Sequence, residues 1–298
     1  LGNSPLIQET VVYLEKNPQA GYLVKEWIRE IPKEHEHALF DAIKKASVGT
    51  IILSPQLTNE SYATSSLFAL LPLNITVINF LDFYETLFDK VALKEINTEW
   101  FVQHISMRRN FYDTAKRCVD IFLSLILGVI FLPLAFLIGI LILLSSKGWV
   151  VFPQKRVGKN GNEFVLYKFR TMKKNSGGAL WTEKNDTRIT AIGKILRFTH
   201  LDELPQLWNI LKGDISFTGP RPERTELAEQ YRKFSYYDVR HMVKPGLTGW
   251  AQINFRPSAS FEEAYEKLTY DIYYVKNRSL FLDLLIILRT IRYIFTSH

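Results

Sequence analysis

Cysteine is nearly absent: Cys118 stands alone in 298 residues, which excludes an intramolecular disulfide and a multi-cysteine metal site and fits a reducing compartment. Glycine-rich phosphate loops are missing as well. The early α/β-type pattern offers only Gly2 where a dinucleotide fold would place several glycines, so a cofactor site of that kind is not expected there. His35-Glu36-His37 has the wrong spacing for a zinc pair, because residues two apart on a helix point to different faces; it reads as a solvated helix surface. The first residues hold neither a basic start nor an apolar run, so no secretory signal is expected at Leu1–Pro5. Leu1-Gly2-Asn3-Ser4-Pro5 instead reads as the end of a strand entering a helix, with Ser4 as N-cap and Pro5 at the first helical position. Without an initiating Met, the sequence is expected to be truncated at its amino terminus.

Charge is unevenly spread. Residues 1–115 hold 10 Lys and Arg against 14 Asp and Glu, and residues 116–298 hold 27 against 16, so the halves carry −4 and +11. A basic half suits nucleic acid, anionic lipid or phosphate-bearing substrates. Its position decides among them: the basic residues flank a membrane-type segment and sit in phosphate-type loops, so no nucleic-acid partner is expected.

The acidic half alternates helical patterns, at 6–14, 37–46 and 61–71, with the β-branched runs Thr50–Leu53 and Ile75–Phe80, the rhythm of a parallel-sheet α/β domain. From Ile121 to Leu144 no charged residue occurs; as a helix this stretch covers roughly 36 Å, enough for the hydrocarbon core. Arg108, Arg109, Lys116 and Arg117 precede it, and Lys147, Lys155, Arg156 and Lys159 follow. Equal positive flanks place both ends on the cytoplasmic side, and Pro133 near the middle removes a helical hydrogen bond. A re-entrant helix bent at Pro133 meets both conditions; a straight crossing with a tolerated proline is the alternative. The stretch 280–295, interrupted by Asp283, Arg289 and Arg292, reads as an interfacial amphipathic helix in contact with membrane lipids, or as a packed core helix.

Between these segments lie Gln154-x-Arg156-x-Gly158, Tyr167-Lys168-Phe169-Arg170-Thr171, Arg188, Arg197, Leu201-Asp202-Glu203-Leu204-Pro205-Gln206-Leu207 and Gly219-Pro220-Arg221-Pro222-Glu223. Prolines on both sides of Arg221 stiffen its backbone, so its guanidinium is ready for bidentate contact with a diphosphate, unless the loop is only a stiff surface turn. Adjacent carboxylates just ahead of a helix near Gln206–Leu211 admit two readings. They cap the helix, or they serve chemistry on phosphates beside Mg²⁺, which takes one or two carboxylates plus phosphate oxygens.

From about Lys116 to Thr290 this ordered series resembles the bacterial sugar transferase family, the monotopic polyprenyl-phosphate phosphoglycosyl transferases. Lys116-Arg117 with Asp120, the motifs above, Lys244-Pro245-Gly246-Leu247-Thr248-Gly249-Trp250-Ala251-Gln252, Asp271-x-x-Tyr274, Ser279-Leu280 and Asp283 carry the resemblance. It implies a re-entrant helix broken at Pro133, a catalytic Asp202-Glu203 dyad, Mg²⁺ as cofactor with Glu203 as its candidate ligand, and Arg221 among the phosphate ligands. Lys168, Arg170 and Arg197 are expected to join it on substrate phosphate. Some relatives have a small residue before the helix-breaking proline, where this chain has Leu132. Large family members place four membrane helices and a Rossmann-like domain ahead of the catalytic part, and residues 1–115 resemble that soluble domain with the four helices not in this sequence.

The expected architecture is therefore α/β: a Rossmann-like parallel-sheet domain at 1–110, a re-entrant membrane helix at 111–146, and a mainly helical α+β catalytic domain with interfacial helices at 147–298, on the cytoplasmic face of the bacterial inner membrane. The expected reaction moves a sugar 1-phosphate from a nucleoside diphosphate sugar, a UDP-sugar by resemblance, to polyprenyl (undecaprenyl) phosphate, releasing the nucleoside monophosphate. Asp202 would be the nucleophile of a covalent step, at the membrane stage of polysaccharide or glycoconjugate assembly, and a homo-oligomer is compatible with it. Two rivals stand: a glycosyltransferase that releases the nucleoside diphosphate, and a non-catalytic, membrane-anchored ligand sensor.

Overall fold

In a computed structural model, residues 1–29, 47–58, 75–105, 109–145, 148–173, 186–255 and 260–296 are described. The expected helices at 37–46 and 61–71, the His35-Glu36-His37 surface, Arg108 and Lys147 lie outside these residues. The chain divides into two compact units, Leu1–His104 and Ile105–His298.

In the first unit, helix α1 spans Pro5–Lys16 and starts as its sequence dictates. The Ser4 hydroxyl accepts from Ile7 N at 3.2 Å, and Pro5 occupies the first turn, where its missing N–H costs nothing. Strands β1, Thr50–Leu53, and β2, Thr76–Asn79, pair in parallel from Thr50 against Thr76 to Leu53 against Asn79. The parallel sense requires a crossover between them. Asn79 then caps α2, Phe80–Phe88, through Leu81 N at 2.8 Å. Leu1 lies beside the outer edge of β1, its nitrogen 2.6 Å from Ile52 O and its carbonyl accepting from Ser54 N at 2.9 Å, as the strand-to-helix reading of the opening residues anticipates. Helix α3, Thr98–His104, ends the unit.

The second unit is built on α4, Asn110–Ser145, a helix long and apolar enough to cross a membrane. Its helical run continues through Pro133. Its first third is bolted down by the charged residues of the 116–120 motif. Arg117 donates to Ile210 O and Leu211 O, both at 2.6 Å, at the end of α6, Gln206–Lys212, where helix carbonyls run out of intrahelical partners. Asp120 accepts from Ser216 Oγ at 3.0 Å and Phe217 N at 3.2 Å on β5, Ser216–Thr218. Lys116 reaches Thr218 and Asp283. Farther along α4, Ile138 and Ile142 are buried with Phe169 and Leu196, and Leu134, Ala135, Leu201 and Leu204 pack around them. Between these two anchored stretches Leu125, Val129, Ile130 and Leu132 are exposed.

The remaining elements form a scaffold around one loop. Strands β3, Val151–Val157, and β4, Glu163–Phe169, make an antiparallel hairpin. Helix α5, Ala191–Phe198, is capped by Thr190. Helix α7 is Thr225–Tyr231, and β5 pairs in parallel with β6, Gly246–Thr248. Helix α8, Trp250–Asn254, leads to α9, Phe261–Asn277, and α10, Leu280–Thr296. Asp283 in the first turn of α10 is buried and accepts from Lys116, Tyr112, Thr218 and Tyr274 at 2.7–2.9 Å. Four donors satisfy a carboxylate fully, so the cost of burying it is offset. On α10, Leu282 and Ile286 pack with Trp250 and Tyr274, whereas Phe281, Leu284, Leu288 and Ile291 are exposed. The helix is thus a packed element and an amphipathic one at once, and the two sequence readings of this stretch are not exclusive.

Candidate active site

Asp202 and Glu203 do not cap α6. They form a separate 3-10 turn, Leu201–Glu203, and α6 begins at Gln206, after Pro205, without a side-chain cap, which overturns the capping reading. His200 enters this turn at φ 56, in the left-handed region rarely adopted by residues other than glycine. Leu201 and Leu204, on either side of the carboxylates, pack toward the α4 cluster and hold the turn against the scaffold.

The two carboxylates have opposite environments. Glu203 Oε1 accepts from Lys168 Nζ at 2.6 Å and from Arg221 Nη2 at 3.0 Å, with all three side chains partly or largely shielded. Burial alone would raise its carboxyl, but Arg221 and Lys168 outweigh burial and hold it at about 2. Asp202 is 8% exposed, and among the described residues no donor is hydrogen bonded to it. Burial therefore pushes its carboxyl above the usual range, helped by the neighbouring Glu203, while Lys168, Arg197 and His200 pull it down without cancelling the shift. One carboxylate is clamped and firmly anionic. The other is a desolvated anion with its oxygens uncommitted.

The sequence-predicted residues converge unequally. Lys168, near the end of β4, and Arg221, after β5, meet on Glu203. Arg197, in the last turn of α5, donates from Nε to Thr171 Oγ1 at 2.9 Å and acts on Asp202 through its charge. Arg170 is placed two residues beyond Lys168, its backbone N–H bound to Val150 O at 2.9 Å. Pro133 lies within α4, away from this group in sequence and in role.

The 219–223 loop rests on the 244–252 motif. Gly219 N donates to Thr248 O at 2.9 Å and Gly246 N to Pro220 O at 3.0 Å. The approach requires glycine: a Cβ on Gly246 would stand 2.2 Å from Gly219 N, and one on Gly249 2.2 Å from Gly219 O. Behind the loop lies a charge network centred on Arg240, which pairs with Asp271 at 2.8 Å, while Lys267 pairs with Glu223 at 2.5 Å. Burial would raise Glu223, but Lys267 and Arg240 keep it at about 2. Neither Arg240 nor Lys267 stands out in the sequence, although Arg240 precedes Lys244 of the glycine motif by only four positions.

No group of three or more His, Cys, Asp or Glu suited to a metal occurs among the described residues. The donor set still fits magnesium bound together with its substrate. Both cations contact the same oxygen of Glu203, so Oε2 and the neighbouring Asp202 carboxylate would be the groups to hold Mg²⁺, an ion that takes one or two carboxylates plus phosphate oxygens.

Comparison with known proteins agrees with this geometry. The profile described as bacterial sugar transferase matches residues 111–297. The UDP-N-acetylgalactosamine-undecaprenyl-phosphate N-acetylgalactosaminephosphotransferase of Aeromonas hydrophila is 44% identical over 189 residues, 62% of this chain and 45% of that protein. A UDP-glucose:undecaprenyl-phosphate glucose-1-phosphate transferase of Escherichia coli (strain K12) is 31% identical across 97% of this chain and 62% of its own length. Another of that name, from Xanthomonas campestris pv. campestris, is 40% identical over 61% of this chain and 39% of its length. The chain thus spans less than two thirds of each of these relatives. Because the family profile takes in α4, the Asp202-Glu203 turn, the Arg221 loop and its glycine bed in one continuous match, this chain belongs to the bacterial sugar transferase family.

Proposed function

We propose that the chain transfers a sugar 1-phosphate from a nucleoside diphosphate sugar to polyprenyl phosphate, in two displacements on Asp202. The observation that carries this reading is the split between neighbours: Glu203 is held by Lys168 and Arg221, and Asp202 is buried without a hydrogen-bonded donor among the described residues. A desolvated carboxylate with free oxygens is a stronger nucleophile than a hydrated one. In the first displacement an Asp202 oxygen bonds to the β-phosphorus, the bridging oxygen departs with the nucleoside monophosphate, and the phospho-sugar stays as an acyl phosphate. In the second, an oxygen of polyprenyl phosphate bonds to the same phosphorus and Asp202 regains its carboxylate. Around Asp202 and the Arg221 loop, the cations of Arg156, Lys168, Arg197, Arg221, Arg240 and Lys267 outnumber the carboxylates of Asp202, Glu203, Glu223 and Asp271, an excess suited to a diphosphate. Arg221, Lys168, Arg170 and Arg197 hold phosphate oxygens as charge shifts. Glu203 would hold magnesium together with the substrate, and the ion would supply positive charge to the diphosphate. The names of the relatives, each a sugar-phosphate transferase to undecaprenyl phosphate, support this substrate pair, with a UDP-sugar as donor.

The same reading assigns 111–146 to a re-entrant helix that enters and leaves on the cytoplasmic face of the inner membrane, 147–298 to the catalytic domain, and 1–110 to a Rossmann-like soluble domain. Support for the re-entrant path comes from α4 itself. It carries Pro133 inside an apolar run whose two ends have equal basic flanks, the combination that favours both ends on one side of the membrane. Support for the Rossmann-like domain is the parallel β1–β2 pair with its helices. The decisive experiment uses the full chain in detergent with Mg²⁺ and UDP-glucose or UDP-N-acetylgalactosamine, without lipid acceptor. The expected result is release of about one equivalent of nucleoside monophosphate per site and a phospho-sugar adduct on the peptide 201–207, both abolished in Asp202→Asn. Release of the diphosphate, or an adduct mapped elsewhere, overturns the reading.

A further inference from the structure

Four successive carbonyls of the Arg221 loop each accept a hydrogen bond from a different partner. Pro220 O accepts from Gly246 N at 3.0 Å, Arg221 O from Arg240 Nη2 at 2.8 Å, Pro222 O from Arg156 Nη1 at 2.9 Å, and Glu223 O from Val157 N at 3.0 Å. Pro220 and Pro222 have no N–H, so the loop cannot be tied down at those positions by donors of its own; it is held by its acceptors. Two of the four donors are backbone amides. The other two are guanidinium groups brought from β3 and from the 3-10 turn Tyr237–Met242.

Arg240 is 3% exposed and uses its whole fork. Besides Arg221 O, it donates from Nε to Asp271 Oδ2 at 3.0 Å and from Nη1 to Tyr237 Oη at 3.1 Å, with Glu223 Oε1 3.8 Å away. Asp271 therefore sets the plane of the guanidinium, and that plane delivers one N–H to the Arg221 carbonyl. Arg156 is fixed in a similar way, its second amino group donating to Gln154 Oε1 at 2.7 Å. That hydrogen bond explains the spacing of the Gln154-x-Arg156 pair, which lies on one face of β3. Lysine could keep the charge but not two such bonds in one plane. Neither arginine is hydrogen bonded to Asp202 or Glu203 among the described residues.

We propose that Arg156 and Arg240 are positioning residues for the transfer, holding the successive carbonyls of Pro222 and Arg221 so that the Arg221 guanidinium stays on Glu203 where it meets the donor diphosphate. The inference rests on the reading of Arg221 as a phosphate ligand. Because the two pins act through the backbone of Arg221, their loss shifts its guanidinium and not the charge of the site. A misplacement of about 1 Å at such a group costs on the order of 10²-fold in rate.

The test is a double-mutant cycle in the full-length chain, read by single-turnover release of radiolabelled nucleoside monophosphate from the UDP-sugar that turns over. Arg240→Lys and Arg156→Lys are made singly, in the wild-type chain and in Arg221→Ala. Each Lys variant is expected to slow release by about 10²-fold in the wild-type background and by less than about twofold in Arg221→Ala, where nothing is left to position. A merely structural loss would recur equally in both backgrounds, and that result overturns the inference. Arg221→Ala with wild-type release would instead overturn the phosphate-ligand reading and this inference with it. Should Arg240→Lys fail to give a folded protein by its melting transition, Arg156→Lys decides alone, since its side chain is less enclosed.

Discussion

The adjacent carboxylates should respond to amide substitution with opposite signs of stability. Glu203 anchors two cations through one oxygen, at 2.6 and 3.0 Å, with side chains 15–37% exposed. Glu203→Gln keeps the shape but leaves Lys168 and Arg221 facing a neutral amide. Breaking a shielded pair from one side costs about 3–5 kcal/mol when burial is complete, and the partial exposure of Arg221 brings the expectation to about 2–4 kcal/mol. In a unit of this size each kcal/mol moves the melting temperature by about 2–4 °C, so Glu203→Gln should melt roughly 10 °C lower at neutral pH. Its folded pKa of about 2 lies below the ordinary carboxylate value, so this stability is present above about pH 4.5 and lost as pH falls toward 2. The Glu203→Gln deficit should therefore shrink in acid. Asp202 has the reverse sign. Its carboxyl is raised by burial, so at neutral pH its charge penalises the folded state, and the penalty is relieved as pH falls through the folded pKa. Asp202→Asn should melt at or above the wild-type temperature while abolishing nucleotide release, a trade of stability for activity. Differential scanning fluorimetry of both variants, in detergent without substrate from about pH 2 to 8, measures the pair. An Asp202→Asn protein that melts several degrees low, or a Glu203→Gln protein indistinguishable from wild type, would refute the assignment of one clamped and one free carboxylate.

Lys168→Met removes a charge that pulls the Asp202 carboxyl down; since the nucleophile must be anionic, the acid limb of nucleotide release should move to higher pH, and an unmoved or lowered limb counts against Asp202 as the titrating group. Reporters fused before Arg108 and after Lys159 should both read cytoplasmic, and Pro133→Leu should shift part of the population toward a full crossing; a periplasmic signal from either wild-type fusion would end the re-entrant reading. Ile286→Ala, at a site with no exposure in the α10 cluster, should cost about 2–5 kcal/mol in denaturant titrations, while Leu288→Ala on the exposed side of the same helix should stay within about 0.5 kcal/mol.

Much of the scaffold was legible in the sequence because its causes are local. The charge-free run 121–144 became the apolar part of α4, since nothing in it opposes a continuous helix, and the β-branched runs at 50–53 and 75–80 hold β1 and β2. Ser4 and Pro5 start α1 through a hydrogen bond spanning three residues. The motifs also carried the family, and with it the residues around Asp202. Of the two readings that local reasoning left open for Asp202-Glu203, the cap of α6 does not hold; the pair forms its own turn, with Leu201 and Leu204 drawn into the α4 cluster. What decides the character of the site is not local at all. Glu203 is clamped by a lysine 35 positions earlier and an arginine 18 positions later, and the loop that carries that arginine is pinned by Arg156 and Arg240, 66 and 19 positions from the carbonyls they hold. Cations are common in this half of the chain, and sequence spacing says nothing about which of them reach a given carboxylate. Only the packing of β3, β4, α9 and the glycine bed brings some of them within 3 Å of an acceptor and leaves Asp202 desolvated with no hydrogen-bonded donor among the described residues, and at such distances the pairing, not the residue type, sets the charge and the reactivity of each group.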